Sequence, residues 1–192
     1  MAFAPVRVAE SEFGALAPVL AFARTIPGVS WFAAATLPLT EADCADGAAY
    51  AAALGFADAA VEAAASWPDA KRIASGAGAA PWWDAEESAA KALYETALRA
   101  APERAVLAAL TRATDAASAT VHGAASIALA RAGIADAALA RAAAGAATQA
   151  CYHAALALAA RAGAEHAFAI KARLYAGGRW PLGIVDGALY LL

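Results

Sequence analysis

The chain reads as a mainly α protein: residues 1–192 form a single domain, a compact multi-helix bundle of about six to eight helices, with 179–192 as a C-terminal β-hairpin. Three observations lead there. About a third of the residues are alanine, the strongest helix former, which loses no side-chain entropy on folding. Helix-starting and helix-stopping residues recur along most of the chain. The last stretch, RWPLGIVDGALYLL, sets two apolar runs on either side of Asp186-Gly187, the two-residue signal of a hairpin.

Residues 1–40 are the least regular. Ser11 is placed to cap a short helix, and Pro18 to kink it or to open a second one. The uncharged run between Arg24 and Glu41 holds Pro27, Gly28 and Pro38, so it reads as a buried connection or a short helix. Thr40 with Asp43 makes an N-cap and its third-position acid, and Gly55 supplies the stop. Asp58 is expected to cap a helix ending near Trp67, because Pro68 disfavours helical geometry in the residue before it. Pro68 then opens another helix through Ile73, and Ser75 to Pro81 is the clearest loop. Asp84 to Glu87 reads as the start of a helix reaching about Ala100, with acids where the helix dipole favours them. Pro102 begins a successor that stops at Gly133. Its length suggests a break near Asp115 or Gly123.

Ala137 to Ala162 is the central rod. It carries no formal charge between Arg141 and Arg161 if His153 is neutral, and its larger residues face several directions. Leu139 and His153 fall on one side, Tyr152 and Leu156 on a second, Cys151 and Leu158 on a third. A helix apolar all round is a buried one. Asp136 caps it and Gly163 is expected to end it. Gln149, one turn from His153, is positioned to satisfy the imidazole. Ala164 to Ala176 makes a last helix, closed by Gly177-Gly178.

Several function classes have no support. A net charge of −3 without a basic run argues against nucleic acid and against an anionic membrane surface. Glu10 and Glu12 interrupt the one place where a signal peptide could hold its apolar core. Cys44 and Cys151 sit in separate helical contexts, so reduced thiols and a cytoplasmic setting are expected. Eleven of fourteen basic residues are arginine, and with the alanine excess this suggests a GC-rich bacterial genome. His122, His153 and His166 lie in three different helices with no metal-ligand spacing, so no metal is expected. The glycines at 76 and 78 lack the lysine-serine ending of a phosphate loop, and no cofactor is expected. Asp115, Ser118 and His122 share one helical face, an arrangement wrong for a nucleophile, base and orienter.

The favoured function is therefore non-enzymatic: a soluble interaction module, an adaptor or a toxin-neutralising immunity-type protein, binding a protein partner or a second copy. Charged residues are only 16%, against about 25% in ordinary soluble domains, so part of the surface is alanine or is covered. Trp31, Trp67, Trp82, Trp83 and Trp180 fall in or beside the connections and read first as caps on the core. Trp82, Trp83, Arg179, Trp180 and Tyr190 are also the candidate partner-facing residues, since aromatic side chains and arginine are enriched at recognition surfaces. Leu189, Tyr190, Leu191 and Leu192 add four bulky residues in succession. In a strand they alternate faces, so one helix layer covers half, and the strand's open edge invites another strand. The alternative is an orphan enzyme or a small apolar-ligand-binding protein, with Gln149, Tyr152 and His153 lining a pocket in the bundle. A cavity reaching His153 and another ionisable group would favour it.

Overall fold

The computed structural model describes residues 14–76 and 80–192, which leaves the expected Ser11 cap and Gly78 outside the described residues. Helices α1 (Ala17–Thr25), α2 (Glu41–Ala53), α3 (Trp67–Ala74), α4 (Ala80–Ala100), α5 (Glu103–Arg131), α6 (Ala137–Ala159) and α7 (Ala167–Ala176) form the bundle. Strands β1 (Ala60–Ala63), β2 (Pro181–Val185) and β3 (Ala188–Leu191) form one small sheet. The mainly α class and the C-terminal hairpin are as the sequence predicts. Among the described residues, no helix is long and apolar enough to cross a membrane.

The rod, α6, lies at the centre, packed on α1, α4, α5 and α7. Asp136 Oδ1 accepts from the Ala138 and Leu139 N–H groups and so caps it. Its stop is not Gly163. Arg161 takes the left-handed conformation (φ 56°), and the Ala162 N–H closes back on the Ala157 carbonyl at 2.8 Å. The helix-ending motif usually given to glycine is thus built on an arginine. Its main neighbour, α5, runs unbroken past Asp115 and Gly123, contrary to expectation. Ala105, Ala109, Ala113, Ala117, Val121, Ala125 and Leu129 make an unbroken row of buried residues at every fourth position. Asp115 and Gly123 sit on the exposed side. One exposed glycine costs about 1 kcal/mol, too little to interrupt a helix held along its length by packing.

Thr40 and Asp43 form the expected capping box on α2, and Gly55 (φ 93°) ends it. The helix expected after Asp58 does not form. Residues 60–63 are instead a strand parallel to β3, Ala60 opposite Ala188 and Ala63 opposite Leu191. Gly47 lets α2 lie closely on it, because a Cβ there would come within 2.9 Å of Val61 Cγ1. The next helix starts at Trp67, capped by Ser66, with Pro68 in its first turn. Likewise α4 starts one turn before Asp84, with Pro81 near its start and no acid in its first turn.

At the hairpin, Asp186 (φ 51°) and Gly187 (φ 79°) both take the left-handed backbone that a type I′ turn requires. The sheet order is β1-β3-β2, so β3 is central and β1 fills the edge that the sequence left open. Leu189, Leu191 and Leu192 are all buried, and only Tyr190 is partly exposed. Leu189, Leu191 and Leu192 are thus covered within the chain, with β1 on one edge of β3 and α2 packed against it.

Arg179 joins α7 to this sheet. The sequence placed it on a partner-facing surface, but the fold turns its guanidinium inward. Nε and Nη2 donate to Asp43 Oδ2 at 3.1 and 2.9 Å, Nη1 to the carbonyls of Ala34 and Leu37, and Nη2 to that of Pro38. All five donors of the fork are used. They hold the segment 29–40, which contains no regular helix or strand. Gly178 (φ 84°) is required beside it, because a Cβ would lie 2.7 Å from the Ala34 nitrogen. Burial alone would raise the Asp43 carboxyl, but the Thr40 N–H and the Arg179 guanidinium outweigh it and hold it below the usual range. Replacing Arg179 with Ala strands Asp43 and three carbonyls, and is expected to remove about 3–5 kcal/mol of stability in chemical denaturation. A loss under about 1 kcal/mol would mean that other contacts hold the segment.

Candidate functional site

Two helices each carry a charge at a core position. On α4 the buried row is Trp82, Glu86, Leu93 and Ala97; on α7 it is Ala167, Phe168, Ile170, Lys171, Leu174 and Tyr175. Both rows follow helical spacing, so each charge is pressed into the core by its apolar neighbours. The two meet against α6. Lys171 Nζ donates to Glu86 Oε1 at 2.5 Å, with side chains 2% and 3% exposed. The Tyr50 hydroxyl of α2 donates to the same carboxylate oxygen and accepts from Trp82 Nε1 at 3.1 Å.

His153 completes the cluster from α6. Its Nδ1 lies 3.5 Å from Lys171 Nζ, and its ring stacks on Phe168 with centroids 3.9 Å apart. Burial, reinforced by the Lys171 charge, drives the imidazole down to about 2, so the ring is neutral. Burial also lowers Lys171, a larger effect than the opposing one of Glu86. The Tyr175 hydroxyl is pushed well above its ordinary range, first by burial and then by the Glu86 charge, so it remains a donor. It has no hydrogen-bond partner, and neither does Glu86 Oε2.

A cleft of about 310 Å³ opens beside the pair. Trp82 and Trp83 of α4 face Gly145 and Gln149 of α6 across it, and Lys171, Tyr175 and Trp180 line it as well. Lys71 also borders the cleft but is half exposed and bound to Asp136 at 2.7 Å. Among the described residues, no group of three or more His, Cys, Asp and Glu side chains is placed to hold a metal. Cys44 and Cys151 are free, and burial pushes the Cys151 thiol up to about 12, which leaves it unreactive near neutral pH.

The structure divides the residues singled out from sequence. Gln149 is exposed on the cleft wall, whereas His153 lies beneath it and bonds toward Lys171 rather than Gln149. Tyr152 is half-buried, its ring 5.9 Å from that of His153, and does not line the cleft. Trp82, Trp83 and Trp180 come together there, the first and third buried and Trp83 46% exposed. Arg179 is in its clamp, and Tyr190 sits on the sheet next to Glu62. Glu86, Lys171, Tyr50 and Tyr175 were missed, although the first two stand out as charges on apolar helical rows. Comparisons of the chain with protein-family models, with curated proteins and with solved structures find no match.

Removing one partner of a buried pair strands the other. Lys171→Met is therefore expected to lower stability by about 3–5 kcal/mol, and the double variant Glu86→Gln/Lys171→Met to recover part of it. No recovery in the double variant would show that the ion pair itself holds the site together. A second expectation concerns pH. With His153 at about 2 in the fold and 6.5 when solvated, the unfolded chain takes up a proton that the folded chain refuses. Stability should fall as pH drops below about 6.5, and His153→Phe should flatten that slope between about pH 7 and 5. Equal slopes in denaturant midpoint would show that His153 is charged in the fold.

Proposed function

We propose that the protein binds a small, largely apolar neutral molecule in the cleft between α4, α6 and α7, with one polar group of the ligand meeting Lys171 and Tyr175. The observation that carries this reading is Tyr175, which lines an aromatic cleft that also presents a buried amine and whose buried hydroxyl has no partner. Buried polar groups are nearly always satisfied, and a ligand acceptor would satisfy this one. The volume is at the lower end of the range of about 300–1,000 Å³ typical of ligand pockets, which points to a compact ligand. Charge favours a neutral one. Glu86 and Lys171 already balance, so a ligand carboxylate would bring an uncompensated charge beside a buried ammonium that is already paired.

The other reading, a protein-interaction module of adaptor or immunity type, is supported by one feature, the half-exposed Trp83 at the cleft. The alanine- and arginine-rich composition and the two free cysteines support a bacterial, cytoplasmic setting for either role.

Gly145 provides the test. It lines the cleft, and a Cβ built on it meets nothing within 4 Å. Gly145→Leu should fill the cleft without straining the helix, and should raise helix propensity. Binding of prodan, a neutral naphthyl ketone dye, is expected to brighten and blue-shift its emission with the wild type. The variant should bind about tenfold more weakly or not at all while melting no lower. Equal binding by the two proteins would sink the pocket reading.

A further inference from the structure

We infer that Lys171 is a nucleophilic amine that captures an aldehyde or ketone ligand in the cleft as an imine, with Glu86 and Tyr175 handling the protons. The inference rests on the ligand-binding reading of this cleft. Of the chain's three lysines, Lys71 is half exposed and tied to Asp136, and Lys91 is exposed. Lys171 alone is buried, borders the cleft, and has a proton acceptor within bonding distance, Glu86 Oε1 at 2.5 Å. A lysine becomes a nucleophile when its ammonium can shed a proton, and burial in an apolar site promotes this. Tyr175 follows one helical turn later on α7, so its hydroxyl rises from the same face as the amine. It keeps its proton and has nothing else to donate it to.

The chemistry balances within these groups. The Lys171 ammonium gives one proton to Glu86, and the freed lone pair forms a bond to the carbonyl carbon. The carbonyl π pair moves to oxygen, which takes a proton from the Tyr175 hydroxyl, and Tyr175 recovers one from the attacking nitrogen. Glu86 then returns its proton to the carbinol hydroxyl, the C–O bond breaks, and water leaves. The product is a protonated imine carrying the same single positive charge as the original ammonium. Its pairing with the Glu86 carboxylate is therefore preserved, and the Trp82 ring, 5.5 Å from Nζ, faces a cation before and after. A fold that already holds one positive charge at this point meets no new electrostatic penalty on forming the adduct.

The experiment uses the full chain with benzaldehyde at neutral pH, with and without sodium cyanoborohydride, read by intact mass and peptide mapping. One benzyl group on Lys171, dependent on the reductant, is expected. Lys91→Arg, which lies away from the cleft, should leave that labelling unchanged, and Gly145→Leu should abolish it. Labelling spread evenly over Lys71, Lys91 and the terminal amine, or absent from Lys171, overturns the imine. Displacement of prodan by benzyl alcohol, which has no carbonyl, then separates the two readings. If it still displaces the dye, the pocket stands and only the covalent step is lost; if neither compound competes, the pocket falls as well.

Discussion

Two opposite charges enclosed in an apolar core set the terms for this fold. Withdrawing a carboxylate and an ammonium from water costs several kcal/mol each, and their attraction offsets this only if the geometry is tight and the remaining hydrogen-bonding positions are filled. Glu86 on α4 and Lys171 on α7 must therefore be brought together with little tolerance, and both helices are fixed against α6 to do it. Tyr50 ties α2 to the same carboxylate. An apolar pair of similar volume would hold four helices together at least as well. Stability alone therefore does not account for the charge here, which leaves one carboxylate oxygen and one tyrosine hydroxyl without partners.

The cluster needs rigid surroundings, and alanine alone does not provide them. Each alanine buries little apolar area, so the α5–α6 contact gains from close approach more than from side-chain bulk. The bulk is concentrated elsewhere. Phe32, Trp67, Trp180, Trp31 and Tyr175 form a connected set of rings with centroids 5.8 to 6.4 Å apart, tilted or edge-on as aromatic pairs prefer. This set joins the segment 29–40 to α3, α7 and the sheet. Trp180 and Tyr175 belong both to it and to the cleft wall, so this aromatic set backs one side of the cleft.

Legibility from sequence followed the range of the interaction. The Thr40–Asp43 box, the Gly55 stop and the Asp186-Gly187 turn depend on neighbours within a few residues, and all three were readable. The uniform apolarity of α6 was enough to mark it as buried. By contrast, Ala60 to Ala63 is a strand only because Ala188 to Leu191 lies beside it, and nothing in AVEA announces that. Glu86 and Lys171 are each visible as a charge on an apolar row, but their pairing is a fact of tertiary structure. Gln149 and His153 have the spacing to interact, yet helix rotation sends one to the cleft wall and the other toward Lys171. Arg179 and Trp180 are adjacent and point to different duties, one to a polar clamp and one to the aromatic set.

The parallel pairing of β1 with β3 also dictates a sequence of events in time. A parallel ladder cannot close through a tight turn, and here its two strands stand at residues 60–63 and 188–191. Chain growth from the amino end places β1 in solution long before its partner exists, with five helices made in the interval. Those helices form from local contacts, quickly and without waiting. The β2–β3 hairpin closes locally, whereas the β1–β3 ladder can close only once the whole intervening chain has been made. Meanwhile β1 is only four residues long and carries Glu62 at its centre, so it makes a poor template for stray strands. A nascent chain stalled before residue 188 would hold its helices in place over an unfinished floor.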